Sequence, residues 1–228
     1  MLKKILIVFI IVLCFLITRK EITLISSTEA KKIVYLDAGH GGPDGGAVVD
    51  DVTEANINLS IALILKNILE KNGYQVLLIR DGDYDLAPAN SKNRKRDDLV
   101  KRVELINNSN CDIFISIHAN IYTSSKIRGA QTFYKENNQK SEVLANLIQE
   151  SIIANLKNTS RHALPLKNKY ILDNTTKVGC IVEVGFLSNP EEKSLLMDKS
   201  YQTKMAESIF EGIKDYFSSS ILKKNFVF

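Results

Sequence analysis

The sequence predicts an α/β fold, a mostly parallel sheet with helices on both faces. From Lys32 onward, short runs rich in β-branched and aromatic residues alternate with longer segments whose apolar residues recur at helical spacing. That alternation is the pattern of βαβ units. No internal repeat and no long linker divides it, so one domain is expected. The chain has 228 residues, 45% apolar and 25% charged, enough to build one well-buried core.

The elements follow in order. "KIVYLD" (32–37) reads as a strand and opens into a Gly-rich loop. Residues 54–74 carry Ile57, Ile61, Ile64, Leu65 and Ile68 as a helical stripe that Gly73 ends. "YQVLLI" (74–79) is the next strand, and the polar segment 80–96 reads as loop. A helix over 98–108 places Leu99, Val103 and Ile106 on one face. "DIFISIH" (112–118) is a strand, and "GAQTFY" (129–134) a further one suited to a sheet edge. Ser141 is expected to cap a helix over 141–156. "GCIVEVGF" (179–186) is an apolar strand interrupted by one carboxylate. Asn189 and Pro190, followed by two acids, mark a helix start. A last helix covers about 202–217, and residues 221–228 read as a C-terminal tail.

Residues 1–30 stand apart. "MLKK" precedes an unbroken apolar run, Ile5 to Ile17. As a helix that run spans roughly 20 Å at about 1.5 Å per residue, short of the ~30 Å hydrocarbon core. The segment therefore reads as a signal peptide or N-terminal membrane anchor. The protein is expected to be exported, then secreted or anchored, with membrane contact only through this segment. Net charge is +4, and +2 once residues 1–30 are set aside, too mild to argue for nucleic acid. Cys111 and Cys180, in or beside strand-like runs, are expected to be buried thiols, too few for a disulfide framework.

The chemistry gathers at strand ends, where open α/β sheets place their functional residues. The first strand leads through Asp37 to His40, the 112–118 strand ends at His118, and the late strand carries Glu183. Only three histidines occur in the chain, and five of its eleven glycines surround His40. Such a loop lets the backbone approach closely. It is not a phosphate cradle, because Asp44 stands where the repeat needs glycine and no Walker lysine follows. A third metal ligand is expected nearby. Glu54 can turn back toward His40 from the start of its helix, while Asp44, Asp50 and Asp51 are rivals on spacing. Two histidines, a carboxylate and an open position describe a catalytic zinc site. Glu183 suits the further role of a non-ligating acid and base, since a carboxylate inside an apolar strand is costly without a function or a partner.

"VYLDAGHGGPDGGA", Glu54 in "TEANINLS", "DIFISIHAN" and "IVEVGFLSN" resemble, in order and spacing, the zinc-dependent N-acetylmuramoyl-L-alanine amidases of the amidase_3 class, over about residues 32–217. The resemblance implies a single twisted sheet and a catalytic domain over 31–220. It implies one Zn2+ ion held by His40, Glu54 and His118, choosing Glu54 over the aspartates, and catalysis by Glu183. The substrate it implies is peptidoglycan, cleaved between N-acetylmuramic acid and L-alanine of the stem peptide. Asn120 and Arg128 are candidates for holding that substrate; Arg102 and Asn107 read as structural, and no ligand role is expected of His162. The sequence departs from the family at Val178, where a proline often stands. Small size, a short hydrophobic N-terminus and the absence of wall-binding repeats resemble the germination-specific branch found in spore formers. That implies a role in the spore cortex, preparing muramic-δ-lactam formation, and an accessory sporulation protein as partner. Rival readings are a zinc hydrolase acting on another exported amide and a non-enzymatic wall-binding module.

Overall fold

The computed structural model describes residues 30–224, with side chains through 219. The segment carrying the export or anchor reading lies outside the described residues, as do residues 225–228. Among the described residues no helix is long and apolar enough to cross a membrane. From Lys32 onward the described residues form one compact unit.

Six strands make the main sheet: β1 (Ile33–Ala38), β4 (Gln75–Leu78), β5 (Ile113–Asn120), β6 (Gln131–Lys135), β7 (Leu164–Leu166) and β8 (Val178–Phe186). Their order is β4-β1-β5-β8-β6-β7. The first four of these are mutually parallel, β6 runs antiparallel to β8, and β7 is parallel to β6. The α/β fold with a mostly parallel sheet is therefore as the sequence predicts. One placement differs: β6 lies inside the sheet, and the edge is β7, a Leu-Pro-Leu run too short to stand out. Pro165 lacks an N–H and is tolerated at such an edge. Val178, where the resemblance suggested proline, begins β8 in regular register with Ile113.

The strands alternate faces with a period of two. Val34, Leu36, Ile113, Ile115, Ile117, Cys180, Val182 and Val184 point into one core with α1 (Glu54–Lys71), α3 (Gln139–Leu156) and α6 (Lys199–Lys224). Ile33, Tyr35, Phe114 and Ile181 point the other way, against Val103 and Ile106 of α2 (Arg94–Asn108) and Ile171 and Leu172 of α4 (Tyr170–Asn174). Helices thus cover both faces. In α1 the stripe Ile57, Ile61, Leu65 and Leu69 is buried. Each such side chain contributes roughly 1.5–3 kcal/mol relative to exposure.

Helix starts explain the remaining differences. α2 begins at Arg94 because Asn93 Oδ1 accepts the Arg96 N–H at 3.3 Å; the charged first turn hides this from apolar periodicity. In α3 the cap is Asn138, not Ser141, whose buried hydroxyl instead accepts the Gly179 N–H at 3.1 Å. Helix α5 (Pro190–Met197) starts as expected, with Asn189 Oδ1 accepting the Glu192 N–H at 2.9 Å. Helix α6 begins earlier than predicted, with Asp198 Oδ1 accepting the Tyr201 N–H at 2.8 Å, and it continues to Lys224, into the segment read as tail. A two-stranded hairpin, β2 (Val48–Val49) with β3 (Val52–Thr53), lies inside the loop before α1, where the sequence reads as loop alone.

Candidate metal centre

The loop between β1 and α1 folds back on itself. Gly41 and Asp44 exchange backbone hydrogen bonds at 2.8 and 3.2 Å. The N–H groups that open α1 are satisfied by the same loop, Glu54 donating to the Ala47 carbonyl and Ala55 to that of Gly45. His40 takes a left-handed conformation, φ 62°, which turns its ring toward the helix start. Two glycines make room. A Cβ on Gly39 would lie 2.2 Å from the His118 ring, and one on Gly46, at φ +70°, would lie 2.6 Å from Glu54 Oε2.

Three side chains converge there. Glu54 Oε1 lies 2.8 Å from His118 Nδ1 and 3.2 Å from His40 Nε2. One ligand atom from each of His40, Glu54 and His118 lies within 4.8 Å of the others. Ligands of a tetrahedral zinc at about 2.0–2.1 Å stand roughly 3.3 Å apart, so this spacing and donor set fit the ion. His40 Nδ1 is bonded to Asp44 Oδ2 at 2.8 Å, which leaves Nε2 to face the centre. Asp44, a rival ligand on spacing, thus sits where a metal-bound imidazole finds its orienting carboxylate. Asp50 is exposed and pairs with Lys193, and Asp51 is exposed.

The carboxylate is anchored on its other side. Glu54 Oε2 accepts the Ala47 N–H at 2.8 Å, and Oε1 also accepts that of Ala119 at 3.2 Å. Burial pushes the Glu54 carboxyl up, but the hydrogen bonds from His118 and His40 outweigh it and hold it well below the usual range. The group is a fixed anion of the kind a buried cation requires.

Glu183 stands opposite His118 in the register of β5 and β8, on the face that carries α2 and α4. Its Oε2 is buried with no hydrogen-bond partner. Burial pushes its carboxyl up, and the nearby His118 charge offsets only part of that. A carboxyl raised by burial and without a partner on Oε2, opposite a candidate metal ligand, is a candidate for proton transfer.

Two buried arginines hold the loop. Arg102 reaches Asp37 at 2.5 Å, Asp98 at 2.7 Å, and the carbonyls of Ala38 and His40 at 2.9 and 2.7 Å. Arg80, read from the sequence as part of a polar loop, donates to the carbonyls of Ala38, Gly39, Ala55 and Gly82 at 2.8–3.0 Å. Carbonyl partners leave no sequence signature; the hint was an arginine directly after a strand. Burial pushes the Asp37 carboxyl up, but the Arg102 charge and the Ser116 hydroxyl bring it below its ordinary value. Asn107 ties α2 to the end of α4 at Asn174 and to Thr176 beyond it.

The remaining candidates are less converged. Asn120 ends β5, its Oδ1 accepting the Ile121 N–H at 2.8 Å. Arg128 is exposed and paired with Glu191 at 2.7 Å. The His162 side chain is exposed, and its carbonyl accepts from Gln131. Cys111 and Cys180 are free and buried.

Residues 34–215 match the Amidase_3 family, described as N-acetylmuramoyl-L-alanine amidase. The chain belongs to this family. As an Amidase_3 protein it is an amide hydrolase with N-acetylmuramoyl-L-alanine amidase activity. It is 45% identical over 190 residues to the germination-specific N-acetylmuramoyl-L-alanine amidase of Bacillus subtilis, covering 82% of this chain and 80% of that one. Among solved Amidase_3-like structures, the CwlD amidase from Clostridioides difficile, in complex with the GerS lipoprotein, superposes with a TM-score of 0.80 at 39% identity, over 83% of this chain and 100% of that one. The catalytic domain of CwlV from Bacillus (Paenibacillus) polymyxa gives 0.72 at 32% identity, over 82% and 98%.

Proposed function

We propose that this chain is a zinc-dependent amidase that cleaves the bond between the lactyl group of N-acetylmuramic acid and L-alanine of the stem peptide. The observation that carries the reading is the meeting of His40, Glu54 and His118 within 4.8 Å, with Glu183 opposite His118 on the next strand. His40 Nε2, a Glu54 oxygen and His118 would hold the ion. A zinc in such a site lowers the pKa of a water toward about 7 and polarises a carbonyl oxygen. Glu183 takes the proton of the attacking water and returns it to the leaving nitrogen. Asp44 holds the His40 ring, and Arg102 and Arg80 hold the loop that carries it. Asn120 and Arg128 are the candidates for contact with the glycan or peptide.

The likeness to the germination-specific Bacillus subtilis enzyme supports a role in the spore cortex, where removal of stem peptides precedes muramic-δ-lactam formation. In that setting residues 1–30 export or anchor the catalytic domain, which acts outside the cytoplasmic membrane. The neighbour solved with a lipoprotein supports an accessory partner of that kind.

Digestion of purified muropeptides, read by mass spectrometry, tests the activity. Free stem peptides beginning at L-alanine are expected from zinc-loaded protein. Intact muropeptides, with cleavage of an unrelated peptide amide, would favour a hydrolase of another substrate.

A further inference from the structure

The row of functional side chains continues past Glu183. Gln131 stands opposite Glu183 in the pairing of β6 with β8. His118, Glu183 and Gln131 therefore form one line across three neighbouring strands, on one face of the sheet. Gln131 uses its amide to hold the loop before β7. Its Nε2 donates to the His162 carbonyl at 2.9 Å, and its Oε1 accepts from Arg161 Nη1 at 3.3 Å. Arg161 Nε donates to the Arg128 carbonyl at 3.2 Å, and the guanidinium lies over the Phe186 ring, 5.4 Å from its centre.

Three other arginines, Arg94, Arg102 and Arg128, each have a carboxylate partner, while Arg80 is satisfied by backbone carbonyls alone. Arg161 is half-buried, its acceptors are a carbonyl and an amide, and no carboxylate lies within ion-pair distance among the described residues. Its Nη2 has no hydrogen-bond partner among those residues. A guanidinium oriented by neutral acceptors and an aromatic face is pre-organised for a carboxylate.

The proposed function, on which this step rests, gives the direction. Glu183 must reach the leaving nitrogen, and a released peptide that leaves past Glu183, away from His118, runs toward β6. Neighbouring strands lie about 4.8 Å apart, which sets Gln131 about 10 Å from His118 across the sheet. An extended peptide advances about 3.3–3.6 Å per residue, so the residue after L-alanine comes within reach of an arginine side chain there.

We infer that Arg161, held by Gln131, the Arg128 carbonyl and Phe186, is a specificity-determining residue that binds a carboxylate on the residue following L-alanine in the stem peptide. A residue that only pinned the loop would be indifferent to that carboxylate.

The test uses the zinc-loaded full-length chain and two muropeptides that differ only in that residue, one with a free α-carboxylate and one with a carboxamide there. The readout is the ratio of kcat/KM between them. Wild type is expected to favour the carboxylate by about tenfold or more, the scale of one charge-assisted hydrogen bond. Arg161→Gln brings the ratio close to one, whatever it does to the absolute rates. Arg161→Lys, which keeps the charge and loses the fork, gives an intermediate ratio and serves if the glutamine variant does not fold. A wild-type ratio near one, or a ratio unchanged in either variant, overturns the inference while leaving the amidase reading intact. Failure of wild type to cleave either muropeptide overturns both.

Discussion

Glu183 faces His118 across two adjacent parallel strands, and its Oε2 is buried without a hydrogen-bond partner. A sheet interior does not tolerate that carboxylate for stability's sake, because a buried charge without a partner is costly. Glu183→Gln keeps the shape and removes the proton carrier. Turnover should fall by about 10²–10⁴-fold, the usual contribution of a positioned acid and base. Zinc content should remain that of wild type, and the melting temperature should not fall. A variant that lost its zinc along with its activity would make Glu183 a ligand instead.

Glu54 is the joint between the two histidines, with one oxygen 2.8 Å from His118 and 3.2 Å from His40. Glu54→Gln and His118→Ala should each reduce bound zinc, measured by elemental analysis after dialysis, from one ion per chain to a small fraction. Chelation of wild type should abolish activity, and added zinc should restore it, because the ligands are preassembled by the loop hydrogen bonds.

Gly46 has φ +70°, and a methyl group there would meet Glu54 Oε2 at 2.6 Å and His40 Cδ2 at 2.7 Å. Gly46→Ala therefore combines left-handed strain of about 1–3 kcal/mol with displacement of two ligands. Thermal melting should show a lower midpoint, and zinc titration a weaker affinity. An alanine variant with wild-type zinc affinity would mean the loop can shift without cost to the centre.

Arg102 and Asp37 form a buried ion pair at 2.5 Å. Removing the cation alone, as in Arg102→Leu, strands a buried carboxylate and should cost about 3–5 kcal/mol in denaturant unfolding. The Asp37 carboxyl lies below its ordinary value in the folded protein, so the unfolded chain takes up its proton first as pH falls. Its contribution is complete above the unfolded value of about 3.9 and is lost as pH drops from there through the folded value. Unfolding curves collected from neutral pH to pH 2 should show this loss in wild type and a flatter dependence in Asp37→Asn.

The sequence makes some of this legible and hides the rest, for physical reasons. Strand β5 and its His118 stand out because a strand covered on both faces is a continuous apolar run, and a polar residue near its end is conspicuous. Glu183 stands out for the same reason inside β8. That Asp44 orients His40 rather than joining the cluster depends on a turn that brings Oδ2 to Nδ1, and spacing alone leaves both roles open. Arg80 is hidden because its four partners are backbone carbonyls. Gln131 is hidden because its place beside Glu183 comes from cross-strand register, which no local pattern encodes. The edge strand is hidden because β7 is three residues with a proline in the middle.

The decisive measurement is a crystal structure of the zinc-loaded protein, with anomalous scattering recorded at the zinc edge. One strong peak is expected, bonded to His40, Glu54 and His118, with Glu183 close by but not coordinated. A peak elsewhere, or these three side chains turned away from one another in zinc-replete crystals, would contradict it.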